Sequence, residues 1–135
     1  MVSSNDDDPL HDANLSGVRI LLVEDSWHIG VALKSLLRAM GADVAGPVAT
    51  AAEAERLIAE QIPDVGIVDF NLRGGELAHG LIGKLNDHRI HVIVISGYAE
   101  VPLAPGTTAV VLQKPIVEAQ LLAALRPIAA QKAAR

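Results

Sequence analysis

Short, almost wholly apolar runs recur along the chain, separated by longer segments with a different periodicity. The three strongest runs are VRILLV at 18–23, VGIV at 65–68 and VIVI at 92–95; AVVL at 109–112 is a further run, and a weaker one occupies 43–48. Apolar runs of this length without strict alternation are typical of strands buried on both faces of a parallel sheet. The pattern therefore predicts five strands.

Helical spacing of apolar residues lies between these runs. Ser26 is a candidate N-cap for a helix whose apolar positions recur from Ile29 to Met40, before Gly41 supplies a stop. Three further helices are predicted at Ala51–Gln61, which Thr50 caps, at Glu76–Asn86 and at Ile116–Leu125. Strands that alternate with helices indicate βαβ units, and hence an α/β protein with a doubly wound, five-stranded parallel sheet.

One helix of this alternation is poorly encoded, between Tyr98 and Thr107. Pro102, Pro105 and Gly106 all fall in this segment. A proline in a helix interior costs ~3 kcal/mol, because it lacks the backbone N–H and its ring clashes with the preceding turn. We therefore expect a short or loose fourth helix.

Length and charge then define the predicted domain. A chain of 135 residues with 50% hydrophobic and 20% charged residues fits one domain with a sizeable core. Residues 1–16 hold four Asp and no Lys or Arg, whereas the rest carries 12 acidic and 11 basic residues. We expect 1–16 to be a disordered acidic tail, 17–130 to be the domain and 131–135 to be a C-terminal tail.

Composition also excludes several classes of function. Aromatic residues make up only 2% of the chain and the formal net charge is −5, which argues against a nucleic-acid partner. The absence of cysteine excludes disulfide scaffolds, thiolate zinc sites and cysteine nucleophiles. The acidic N-terminus does not resemble a signal peptide, and no apolar stretch approaches the ~18–20 residues of a membrane helix. We therefore expect a cytoplasmic protein with no membrane partner.

Polar residues follow four of the apolar runs, at the strand ends where doubly wound sheets bind ligands. The residues at these positions are Glu24 and Asp25, Asp69, Ser96 and Gly97, and Lys114. Three carboxylates gathered at one edge repel one another, so a cation is expected among them. An all-oxygen ligand set suits Mg²⁺, which keeps positions open for a phosphate.

Asp69 is a candidate nucleophile within this set. A carboxylate can accept a phosphoryl group when a metal and a cation such as Lys114 neutralise the transferring oxygens. The hydroxyl of Ser96 and the backbone N–H of Gly97 suit phosphoryl oxygens. Each residue alone has an ordinary structural interpretation, such as helix capping for Glu24. Those interpretations do not explain why such residues stand at four strand ends together.

The segments VEDS, VDFNLRGGE, VISGY and QKP, in this order, resemble the motifs of response regulator receiver domains of two-component signalling. The resemblance covers about Val18 to Ile128 and implies a flavodoxin-like (βα)5 fold. It implies that Asp69 is the phosphoacceptor and that Ser96 and Lys114 grip the phosphoryl group. It also implies that Mg²⁺ is held by Glu24, Asp25, Asp69 and the backbone carbonyl of Asn71.

Two features depart from the receiver pattern. Val111 stands three positions before Lys114, where receivers often place an aromatic switch residue. The weak helical pattern after strand four falls at the fourth helix, which usually forms the output surface of receivers. Together with ISGY, it resembles a subgroup of stand-alone receivers with a Gly-Tyr pair after that strand. Tyr98 is either a sensing or a packing residue, and we expect Tyr98–Gly106 to be the mobile element.

Three functions remain to be distinguished. The leading one is a single-domain response regulator that accepts a phosphoryl group from a histidine kinase or histidine phosphotransfer protein and signals or relays it through protein partners. It would catalyse only its own phosphorylation and dephosphorylation. An aspartyl-phosphate phosphohydrolase would carry a D-x-D motif on its first strand, whereas Asp69 lies on the third and Asn71 replaces the second Asp. A non-phosphorylated interaction module is the third possibility, although degenerate receivers usually lose residues that this chain retains.

Overall fold

The computed structural model describes residues 14–134, which form five strands and four α-helices. The strands are β1 (Arg19–Val23), β2 (Asp43–Val48), β3 (Val65–Asp69), β4 (His91–Ser96) and β5 (Val110–Gln113). The helices are α1 (Trp27–Ala39), α2 (Ala51–Glu60), α3 (His79–Asp87) and α4 (Glu118–Ala133), with a short 3-10 turn at Arg73–Gly75. All five predicted strands are confirmed.

The strands form one parallel sheet in the order β2-β1-β3-β4-β5. The chain moves from β1 outward to β2 and then crosses to β3 on the other side, so the order reverses between β1 and β3. The predicted doubly wound α/β fold is therefore confirmed. Among residues 14–134, no helix is both long enough and apolar enough to cross a membrane.

Each face of the sheet is covered by two helices. Ile20 and Leu22 of β1 point into a core layer formed with α1 and α4, whereas Leu21 and Val23 point into a layer formed with α2 and α3. Alternating side chains of a strand project to opposite faces, so burial of both faces requires an uninterrupted apolar run. In the second layer, a Cβ at position 66 would lie 2.9 Å from Leu85 Cδ1, so glycine there lets α3 approach β3 closely.

The N-termini of α1 and α2 differ in the hydrogen bonds that stabilise them. The Thr50 hydroxyl accepts from Glu53 N at 3.2 Å and donates to Glu53 Oε1 at 3.0 Å, so Thr50 caps the start of α2. Ser26 precedes α1, but its side chain makes no capping hydrogen bond. Its backbone N–H instead donates to Glu24 Oε1 at 3.0 Å, which links the helix start to the carboxyl end of β1.

The third helix begins later than the predicted Glu76. The carboxylate of Glu76 accepts a hydrogen bond from Ala51 N at 2.9 Å, which fastens this part of the chain to the start of α2. Leu77 forms an isolated bridge with Asn71. These contacts hold residues 76 and 77 in a loop, so α3 starts only at His79.

The predicted short or loose fourth helix is wrong, since residues 97–109 contain no helix. Pro102 and Pro105 lack the N–H groups that a helix would need. The segment instead packs its apolar residues Val101, Leu103 and Ala109 against the core layer of α2 and α3. Contact with the core thus replaces helical hydrogen bonding.

The folded region extends beyond the predicted limit at the N-terminal side. Leu15, which falls in the predicted tail 1–16, is 1% exposed, and its N–H donates to Met40 O at 2.9 Å. Burial of this leucine among β1 and α1 residues stabilises the chain from position 15 onward. The rest of the predicted tail, residues 1–13, lies outside the described residues.

The last helix likewise continues past the predicted end at Leu125 and through most of the predicted tail 131–135. It ends at Ala133, with Pro127 inside it. Ile128 is buried, and Lys132 Nζ donates to Asp64 Oδ2 at 2.7 Å. These contacts with the body of the fold stabilise turns that the local sequence pattern did not indicate.

Candidate functional site

The candidate site lies at the carboxyl ends of β1 and β3, where the strand order reverses. Val23 of β1 stands opposite Val68 of β3, so Glu24 and Asp69 follow on adjacent strands. One carboxylate oxygen each of Glu24, Asp25 and Asp69 lies within 4.8 Å of the other two. A crevice at such a reversal is the usual ligand site of open α/β sheets.

Burial makes this carboxylate cluster electrostatically unfavourable without a cation. Glu24 is 4% and Asp69 2% exposed, whereas Asp25 is exposed. Burial raises the pKa of Glu24 to about 7 from an ordinary 4.5, and the neighbouring carboxylate of Asp69 acts in the same direction. The hydrogen bond from Ser26 N–H opposes this rise only in part.

Lys114 reaches this cluster from the far side of the sheet. Its backbone N–H donates to Ser96 O at 2.7 Å, which ties the end of β5 to the end of β4. Its ammonium group donates to Asp69 Oδ2 at 2.7 Å. Burial alone would lower the pKa of Lys114, but the hydrogen bond and charge of Asp69, together with the charge of Glu24, raise it above its ordinary value.

Ser96 lies at the end of β4, the strand next to β3, and its side chain is fully buried. Its hydroxyl oxygen accepts a hydrogen bond from Tyr98 N at 2.9 Å. A hydroxyl that accepts one bond still has its own proton to donate. Gly97 is exposed, and a Cβ placed there would have no atom within 4 Å, so its backbone is open to a ligand.

Asn71 completes the surroundings of Asp69. Its backbone N–H donates to Asp69 Oδ1 at 3.0 Å, while Lys114 holds Oδ2. Both oxygens of Asp69 are therefore fixed in position and retain free lone pairs. Three carboxylates within 4.8 Å of one another form an all-oxygen donor set of the kind that Mg²⁺ prefers. The residues present fit a magnesium ion.

The predicted carboxylates and Lys114 are brought together as expected, with Ser96 and Gly97 at the end of the neighbouring strand. Backbone groups are the contribution that sequence reasoning missed. The N–H groups of Ser26, Asn71 and Tyr98 bind Glu24, Asp69 and Ser96 respectively. Every residue except proline carries such a donor, so no residue type could have signalled them.

Comparison with other proteins gives structural neighbours only. No protein-family model matches the sequence, and no curated protein matches it. The response regulator PhyR from Brucella abortus is similar with a TM-score of 0.75 at 21% identity, over 93% of this chain and 52% of that protein. The chain therefore spans about half the length of this neighbour.

Two shorter neighbours match over nearly their whole length. A CheY-like receiver domain protein from Methanospirillum hungatei has a TM-score of 0.73 at 24% identity, over 86% of this chain and 96% of that one. A CheY-like receiver domain from Methylobacillus flagellatus has a TM-score of 0.67 at 22% identity, over 84% and 97%. The structural neighbours are thus receiver domains, and the chain has the receiver fold.

Proposed function

We propose that this chain is a receiver of two-component signalling, which accepts a phosphoryl group on Asp69. The observation that carries the proposal is the 2.7 Å contact between Lys114 Nζ and Asp69 Oδ2, inside a cluster of three carboxylates. An ordinary turn aspartate would not need a buried setting, a lysine from a distant strand and two acidic neighbours. A phosphoacceptor needs all three.

The transfer step uses the groups already in place. A carboxylate oxygen of Asp69 attacks the phosphorus of a phosphohistidine whose ring is protonated on its other nitrogen. The phosphorus–nitrogen bond breaks, and the neutral imidazole leaves with the bonding electron pair. The product is an aspartyl phosphate. Lys114 can then pair with a phosphoryl oxygen, and Ser96 can donate its free hydroxyl proton to another. The N–H of Gly97 is a further donor at the same edge.

Glu24, Asp25 and Asp69 would hold Mg²⁺, together with the backbone carbonyl of Asn71. The three carboxylates support this assignment, because they lie within reach of one ion and burial disfavours their joint ionisation. A bound Mg²⁺ supplies neutralisation of charge on the transferring phosphoryl oxygens. Because Asp25 is exposed, the site stays open to solvent and to a phosphodonor.

The donor in this proposal is a histidine kinase or a histidine phosphotransfer protein, and the output is through protein contacts. The chain itself catalyses only its own phosphorylation and dephosphorylation. The order of residues supports this over phosphohydrolase turnover, because the nucleophile stands on β3 rather than on the first strand. The retained Lys114 and carboxylates argue against an interaction module without the chemistry.

Incubation with acetyl phosphate and Mg²⁺, followed by intact-mass measurement, tests the proposal. We expect a mass gain of one phosphoryl group in the wild type and none in Asp69→Asn, which keeps the side-chain shape and loses the nucleophile. The exposed Asp87→Asn is the matched control and should gain the group normally. Continuous consumption of acetyl phosphate at high turnover would favour a phosphohydrolase, and no mass gain in the wild type would overturn phosphoacceptance.

A further inference from the structure

Residues 97–109, which we term the strap, cross from β4 to β5 without helical structure. Val101, Leu103 and Ala109 are partly buried against the core layer of α2 and α3, and the intervening prolines are exposed. Among the described residues, the strap contains one backbone–backbone hydrogen bond outside the regular strands, from the N–H of Thr107 to the carbonyl of Ala104 at 3.1 Å. Contacts with other elements therefore determine the position of the strap.

Asn86, near the end of α3, fastens one end of the strap. Its Nδ2 donates to Thr108 O at 3.2 Å, and its Oδ1 accepts from Thr108 N at 2.8 Å. The side-chain amide thus satisfies both backbone groups of a single residue, as a neighbouring strand would. One substitution at Asn86 would release both bonds.

His79, at the start of α3, fastens the other part. Its Nε2 lies 2.8 Å from Pro102 O, and because a carbonyl can only accept, the proton is on Nε2. His79 and Asn86 are seven residues apart, which is about two helical turns, so both project from one side of α3. The strap is therefore held on α3 at two points.

His79 also contacts the residue that follows Asp69. The rings of Phe70 and His79 meet edge to face, with centroids 4.8 Å apart and planes at 86°. Phe70 is 3% exposed, its N–H donates to Ile95 O at 2.9 Å, and its carbonyl accepts from Ala78 N at 3.0 Å. Asp69 and His79 are therefore connected through the buried ring of Phe70 and the backbone hydrogen bond from Ala78 to Phe70.

We propose that His79 and Asn86 are positioning residues that clamp the strap on α3, and that His79 transmits the state of Asp69 to the strap. The coupling part rests on the phosphorylation of Asp69 proposed above, whereas the clamp itself does not. Movement of Phe70 would shift the His79 ring and with it the hydrogen bond to Pro102. The chain of contacts is continuous in space, and in this proposal the strap is either held on α3 or released from it.

Hydrogen exchange of the unphosphorylated protein tests the clamp. His79→Phe keeps a ring against Phe70 but removes the donor to Pro102. We expect about fivefold faster exchange of the Tyr98 amide, which lies in the first half of the strap and donates to Ser96 Oγ, as the loss of one hydrogen bond predicts. His79→Gln restores a donor and should restore slower exchange.

Asn86→Ala should expose the Thr108 amide to exchange, whereas Asn86→Asp keeps a side-chain oxygen that can accept from this amide. His88→Phe is the matched control, because His88 bonds only to Lys84 O of its own helix among the described residues.

Exchange after incubation with acetyl phosphate and Mg²⁺ tests the coupling, with phosphorylation followed by mass in the same samples. Phosphorylation should change the exchange rate of the strap amides by a similar factor in the wild type and in His88→Phe. It should change that rate little in His79→Phe. Equal exchange of His79→Phe and wild type before phosphorylation would overturn the clamp. An equal response of both after full phosphorylation would overturn the coupling. A wild type that gains no mass would overturn the proposed function and with it the coupling. The comparison of His79→Phe with the unphosphorylated wild type would still decide the clamp.

Discussion

Replacing Glu24 by glutamine should stabilise the metal-free protein at neutral and alkaline pH. Glu24 is 4% exposed, and burial is the main reason that its pKa rises to about 7. Glutamine has the same shape and keeps an oxygen that can accept from Ser26 N, but it carries no charge. The substitution therefore removes the ionisation and leaves the packing in place.

The pH dependence follows from the direction of the shift. The folded protein binds the Glu24 proton more tightly than the unfolded chain, so ionisation costs stability as the pH rises from about 4.5 to about 7. The gap between an ordinary pKa of 4.5 and a folded-state pKa of about 7 corresponds to about 3 kcal/mol. This cost is absent in acid and complete above neutrality. Glu24→Gln should therefore match the wild type in acid and exceed it by up to ~3 kcal/mol at about pH 8.

Urea unfolding in the presence of EDTA measures this difference. With a typical urea dependence for a small domain, the Glu24→Gln midpoint should exceed that of the wild type by ~1–2 M at about pH 8. Glu100→Gln, an exposed glutamate, is the matched control and should follow the wild type at every pH. Mg²⁺ at about 100 times its Kd should add ~2.7 kcal/mol to the wild type and less to Glu24→Gln, which narrows the gap. Parallel pH curves for the variant and the wild type would refute the reasoning.

Three further outcomes can be measured. Asp25→Ala should lose most of the Mg²⁺-dependent change in the fluorescence of Trp27, which is 67% exposed beside the acidic pair; an unchanged titration would remove Asp25 from the metal site. Burial alone would raise the pKa of Asp64, but hydrogen bonds from Lys132 Nζ and Arg19 N lower it. Ionised Asp64 therefore contributes to the free energy of unfolding above the ordinary pKa of 3.8, and this contribution is lost in stronger acid. Asp64→Asn should cost ~1 kcal/mol at neutral pH in urea unfolding and converge with the wild type in acid; a constant cost would contradict the ionic origin. Arg89 has a φ of 58°, so Arg89→Gly should raise the free energy of unfolding by ~0.5–1 kcal/mol, and a lower value would mean that its side chain contributes more than the strain costs.

Backbone-level features of the fold could be predicted because they depend on short-range patterns. The strands β1, β3 and β4 follow from apolar runs that fill both core layers, and the cap at Thr50 follows from a threonine placed directly before a helical pattern. The chemistry of the site could be predicted for a related reason. Carboxyl ends of parallel strands share one edge, so polar residues at the ends of the runs were expected to meet.

The sequence by itself therefore determined the strands, the sheet type and the residue types at the site. Only the tertiary structure decided the contacts between residues that are distant along the chain. The 2.7 Å bond from Lys114 to Asp69 and the burial that shifts Glu24 depend on the strand order and on the packing of whole elements. The course of residues 97–109 depends on core contacts and on hydrogen bonds from α3, because two prolines disfavour a local helix. Such long-range partners outweigh local propensity, and a pattern read along the chain does not contain them.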